Sequence, residues 1–168
     1  TQFVNRFRSV LRSIDGVTDV EVWLSTGGQL VREGEATDDP VAVLAPPGDS
    51  ALVEPTVLRG RWLRSEDDNA IVVNEAFLDE LPDLRVGDKL RLDIAGRERD
   101  PVVVGIFEYT GMDDLIIYAN YAYVAGLVRT GNRASLYRVV TAEHSLAFQE
   151  RVGKELSEHL TAMGYRVA

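Results

Sequence analysis

The sequence predicts an α+β fold in two lobes, an α/β lobe built from both chain ends and a small β-rich lobe inserted between them. Three observations predict it. The long helical patterns lie at the two ends of the chain. Short alternating or apolar runs, cut by glycine and proline, crowd the middle. A strand pattern adjoins each terminal helix, so the two ends can share one sheet. The expected boundaries are 1–57 and 128–168 for the first lobe and 58–127 for the inserted lobe.

The elements follow in order. Phe3, Phe7, Val10, Leu11 and Ile14 recur at helical spacing, with Arg6, Arg8, Arg12 and Ser13 on the other face. That helix is expected to stop near Asp15-Gly16. Val20, Val22 and Leu24 alternate with Asp19, Glu21 and Trp23 as a half-buried strand. Ser25-Thr26-Gly27-Gly28 reads as a turn, and the acidic Glu33–Pro40 stretch as a loop. Val41–Leu44 is a short strand ended by Ala45-Pro46-Pro47-Gly48.

The middle opens on Val57-Leu58 and an acidic turn, Glu66-Asp67-Asp68-Asn69. Ala70–Val73 is a strand, and Asn74-Glu75 opens a short helix that Pro82 cuts off. Val86-Gly87-Asp88 is a turn, Leu90, Leu92 and Ile94 alternate, and Ala95-Gly96-Arg97 is a hairpin tip. Val102–Phe107 is a nearly continuous apolar strand with Gly105 as a bulge. At the end, Leu136–Thr141 alternates. Ser145 caps a helix whose face is Leu146, Gln149, Val152, Leu156, Leu160 and Met163, with Gly164 as its stop.

Composition narrows the function. The 168 residues are 45% hydrophobic and 27% charged, enough for a core without disulfides or metals. The formal net charge is -9, so nucleic acid is not an expected partner. No cysteine occurs, which removes thiol catalysis and thiolate metal sites. No apolar run approaches the roughly 18 residues of a membrane span. The chain nevertheless begins at Thr1 inside a helical pattern. This start predicts a piece of a longer polypeptide with membrane segments flanking it.

Catalytic sets do not emerge. His144 and His159 are the only histidines. Ser145 adjoins His144, but neighbours at a helix start rarely face each other productively. Asp38-Asp39, Asp67-Asp68 and Asp113-Asp114 lack the spacing of a calcium loop and read as solvated turns. Gly27-Gly28 lacks phosphate-loop spacing. No enzyme, cofactor or metal is expected. The most site-like feature is aromatic: Tyr109, Met112, Tyr118, Tyr121 and Tyr123 are a candidate partner surface, or else the apolar covering of the insert. Trp62 is expected in the core beside Gly60.

An ordered set spans the middle: Gly60-Arg61-Trp62-Leu63, Ile71-Val72-Val73-Asn74-Glu75-Ala76-Phe77, Val86-Gly87-Asp88-Lys89-Leu90, Gly96, then Val103-Val104-Gly105-Ile106. It resembles the periplasmic core domain of MacB/FtsX-like ABC-transporter permeases. Ile14-Asp15-Gly16-Val17 resembles that family's first helix-to-strand passage. The resemblance implies a porter-like α/β lobe with a β-rich insert, on the extracytoplasmic side of a cell membrane. It implies coupling of a cytoplasmic ATPase's cycle to export or to an extracytoplasmic partner, within a permease dimer and alongside an adaptor or other outer protein. The proline- and acid-rich loop from Glu33 to Ser50 and the Tyr109–Tyr123 segment depart from the family pattern. A secreted peptide- or glycan-binding module is the alternative reading, and a hydrolase built on paired carboxylates a third.

Overall fold

All five residues of the run Ala70–Asn74 are buried, four of them apolar. In a computed structural model, which describes residues 8–50, 52–53, 55–109, 114–128 and 136–162, this run is strand β4, with a neighbour on each side. A strand covered on both faces must be apolar throughout rather than alternating.

Two compact units divide the chain. One is Thr1–Val22 with Asn132–Ala168, and the other is Trp23–Gly131. The larger unit carries a mixed sheet in the order β3-β7-β4-β8-β2-β1-β5-β6. Its strands are β1 (Val17–Arg32, from Trp23 onward), β2 (Glu35–Ala45), β3 (Val57–Gly60), β4, β5 (Leu92–Ile94), β6 (Glu98–Arg99), β7 (Val102–Phe107) and β8 (Leu115–Ala119). Pairs β2·β8 and β4·β7 are parallel, and the others are antiparallel. Helices α2 (Phe77–Glu80) and α3 (Tyr121–Val128) belong to this unit. Phe77, Val124 and Leu127 pack them into its main core, with Ile71, Val73, Leu92 and Ile117.

The smaller unit contains α1 (residues 8–12), the start of β1, β9 (Leu136–Thr141), which pairs with β1, and α4 (Leu146–Ala162). Gly16 ends the turn after α1 with φ +90°, and its carbonyl accepts from Ala142 N–H at 2.9 Å. Leu11 and Val20 are its buried centre, with Leu156 and Leu160 of α4 against them. Leu146 departs from the expected face: it is 72% exposed. Phe3, Phe7, Met163 and Gly164 lie outside the described residues.

The mixed α+β class holds, but three local expectations are corrected. Ser25–Gly28 is strand, not turn, because β1 runs unbroken between β2 and β5. Glu33-Gly34 is the true turn, with both residues at positive φ. Glu35–Pro40 is strand, since it returns along β1. Asn74 ends β4, and only one helical turn follows. The compact units divide at Val22/Trp23 and Gly131/Asn132, whereas the sequence drew the lines at 57/58 and 127/128. The segment from Trp23 to Ala45 supplies the sheet strands that β5 and β8 pair with, which places it in the larger unit.

Candidate functional site

The ordered motif set gathers around β3, β4 and β7. Gly60 and Gly105 face each other across the β3·β7 pair. Gly60 has φ +74°, and a Cβ there would overlap the Val104 carbonyl oxygen. A Cβ on Gly105 would overlap the Arg61 carbonyl oxygen. The two glycines thus let two backbones close on one another. Arg61 N–H donates to Val104 O at 3.0 Å, which seals the approach. The register of β7 on β4 skips at Val104, so the expected bulge before Gly105 is real.

Side chains then tie the loops to this interlock. Arg61 donates twice to Asp67, at 2.6 and 2.8 Å, and once to its neighbour's carbonyl, Trp62 O, at 3.0 Å. Asp67 also accepts from Arg64 N–H at 2.8 Å. The Arg61 guanidinium holds the Asp67 carboxyl below the usual carboxylate range, with the Arg64 N–H assisting against partial burial. Asn120, which is buried, donates to Arg64 O at 2.7 Å and Asp67 O at 2.8 Å. Asn74 is also buried, donating to Asp114 O at 2.8 Å and accepting from Ile116 N–H at 2.9 Å. Gly87, at φ +100°, donates to Val103 O at 2.8 Å, and Asp88 caps the same turn through Arg85 N–H at 2.8 Å. Ala95 and Gly96 make a two-residue hairpin tip with positive φ at both positions. Every motif residue with a special contact therefore serves backbone geometry or a loop latch.

The four described candidate partner residues fall into two groups. Tyr118 stands in an aromatic group on the smaller core, 5.2 Å from Trp62, 5.4 Å from Phe107 and 6.2 Å from Trp23 between ring centres. Tyr109 extends that group through Phe107 at 6.4 Å. Trp62 is half-buried there, rather than in the main core. Tyr121 and Tyr123 sit on α3 and pack against the main core instead. Tyr123 donates to Asn69 Oδ1 at 2.9 Å, and burial raises its phenol above the ordinary value, with Asp68 and Asp100 adding to the rise and Arg99 opposing it. Met112 lies outside the described residues. The spacing of tyrosines along the sequence concealed that β8 and α3 divide them.

The other candidate chemistry is dispersed. His144 and His159 are exposed on the smaller unit. Asp39, Asp79, Glu80 and Asp114 line one open hollow of the larger unit, yet Glu80 is engaged by Arg32 at 2.9 Å. Among the described residues no three His, Asp or Glu side chains converge to hold a metal ion. None of their helices is long and apolar enough to cross a membrane.

No protein-family model matches the sequence, and no curated relative matches it. The fold itself is the one found in extracytoplasmic domains of ABC-transporter permeases. The extracellular domain of the noncanonic ABC-type transporter YknZ from Gram-positive bacteria is similar over 98% of this chain and 86% of its own, with a TM-score of 0.69 at 17% identity. The periplasmic region of MacB from Actinobacillus actinomycetemcomitans is similar over 95% of this chain and 73% of its own, with a TM-score of 0.63 at 17% identity. What is shared at that identity is the fold, and it agrees with the resemblance carried by the ordered motifs.

Proposed function

We propose that this chain is the extracytoplasmic domain of a MacB/FtsX-like ABC-transporter permease, and that it transmits the ATP cycle of a cytoplasmic ATPase to exported cargo or to an extracytoplasmic partner. The observation that carries the reading is a likeness of fold that spans nearly the whole chain. The two compact units then correspond to a porter-like lobe from both chain ends and a β-rich lobe between them. Within the larger unit, a close-packed sheet passes strain on instead of absorbing it. Loop latches such as Arg61–Asp67 and Asn74 keep its strand connections stiff. Nothing in this role requires a nucleophile or a cofactor, and ATP hydrolysis belongs to the partner. In the intact protein the permease pairs with a second copy, and an adaptor or another outer protein receives the movement.

The absence of cysteine permits a direct test. One cysteine placed at the exposed Leu146 gives the chain a single thiol. In intact cells, or in spheroplasts where an outer membrane intervenes, a membrane-impermeant maleimide should label it from outside. Labelling that requires lysis of the cytoplasmic membrane would sink the reading. The coding sequence around the domain should also hold apolar spans of about 20 residues.

The half-exposed Tyr118–Trp62 pair favours a second reading, a peptide- or glycan-binding platform. Glycan arrays and peptide pull-downs with the isolated domain address it. Binding that survives both Tyr118→Ala and Trp62→Ala removes the platform.

A further inference from the structure

Strand β3 is bonded on one flank only, to β7, and its other flank is open among the described residues. Leu58, Arg59 and Gly60 are exposed along it. An open edge offers unpaired backbone N–H and C=O groups to any extended chain. Three of the four large hydrophobic residues exposed among the described residues lie on this margin: Leu58, Val86 and Tyr109. Val86 belongs to it because its side chain rests against Gly60, 2.9 Å from where a Cβ would stand. Tyr109 belongs to it because β7 continues past β3, with Glu108 N–H donating to Thr56 O at 2.9 Å.

Charge selects the occupant. Arg59 and Arg85 flank Leu58 and Val86, both are exposed, and neither makes an ion pair among the described residues. Asp88, in the same turn as Arg85, is already occupied by the Arg85 backbone N–H. These two arginines thus stand beside the apolar side chains on a chain of net charge -9, with the carboxylates of Asp88 and of Glu108, next to Tyr109, also exposed. A second copy docking by two-fold symmetry would set these arginines against themselves, which is unfavourable. We infer that the β3 margin docks an extended segment of a partner protein in which carboxylates alternate with aliphatic side chains, added as a strand beside β3. Alternation puts the carboxylates on one face of the added strand and the aliphatic groups on the other. The bulge between Val57 and Arg59 and the positive φ of Gly60 keep the new ladder short. Such features guard an edge against indiscriminate pairing, so the side chains must supply the selectivity.

The probe is a fluorescein-labelled heptapeptide alternating glutamate and valine, titrated with the 168-residue domain and followed by fluorescence anisotropy. A lysine–valine heptapeptide is the control. The acidic peptide should bind, and more weakly as salt rises. The control should not bind. Arg59→Glu with Arg85→Glu should weaken binding about tenfold or more. The Arg59→Lys, Arg85→Lys pair keeps the charge and should bind almost as the parent does. N-methylation of alternate peptide bonds in the probe should abolish binding if a strand is added. The inference is overturned if neither peptide binds, if both bind equally, or if the charge reversal changes nothing. It is also overturned if sedimentation shows that the margin is filled by a second copy. None of these results bears on the membrane topology tested above.

Discussion

At the scale of single residues, Asp67 gives the clearest pH signature. Its lowered carboxyl value comes first from the Arg61 guanidinium. A depressed acid stabilises the fold fully above the ordinary carboxylate value of about 3.9, and that contribution is lost as pH falls through the lowered native value. Asp67→Asn should cost about 1–2 kcal/mol at neutral pH, with the partial exposure of Arg61 keeping the figure modest. The gap between variant and parent should close in strong acid. Urea unfolding at neutral and acidic pH checks this, and a gap that persists in strong acid contradicts it. Asn74→Ala removes a buried bridge and should cost about 1–3 kcal/mol at any pH. That pH independence distinguishes it from Asp67→Asn in the same assay.

At the scale of elements, glycines separate two kinds of strand contact. Gly27 and Gly28 are adjacent in β1, yet a Cβ on Gly27 meets nothing within 4 Å while one on Gly28 would stand 2.7 Å from Asp93 O. Gly27→Ala should therefore stabilise by about 0.5–1 kcal/mol through the unfolded chain. Gly28→Ala should destabilise by about 1–3 kcal/mol. Paired urea titrations should show opposite signs, and equal signs would contradict the placement of β5 against β1. This pair also explains why the sequence misled at this point. Two glycines after an alternating strand carry the pattern of a turn, and only the neighbouring strands reveal that one of them serves a close approach. Glu35–Pro40 failed for a related reason, because acidic residues on a solvated face hide strand periodicity. The apolar run at β8 and the helix α3 were masked by their tyrosines, which drew attention as a surface. By contrast β4, β7 with its bulge and the Ala95-Gly96 tip were legible, since backbone constraints there dictate residue type locally.

For the whole molecule, the motif order carried more than any single motif. Gly60, Asn74, Gly87, Gly96 and Gly105 are far apart in sequence, and several meet only through β7. Periodicity alone supplied α+β and the helical ends. At Val22/Trp23, where the compact units divide, a single strand runs through and offers no break in pattern. The interlock can be tested on the entire fold. Gly105→Ala drives a methyl into the Arg61 backbone and should cost about 3 kcal/mol or more, or prevent folding. Thermal unfolding of that variant should show a large loss, and a change below about 0.5 kcal/mol would mean that β3 is not seated as described.

The reciprocal contact of Gly60 and Gly105 has a practical corollary. It is a joint between main chains, and it asks nothing of the side chains that project from the margin. Leu58, Arg59 and Arg85 are outside that joint and open to solvent, whereas Val86 packs on Gly60. An engineer could therefore rewrite the rim while leaving the scaffold intact. Exchanging Leu58, Arg59 and Arg85 between two domains of this architecture should move partner preference from one to the other, with melting temperatures almost unchanged.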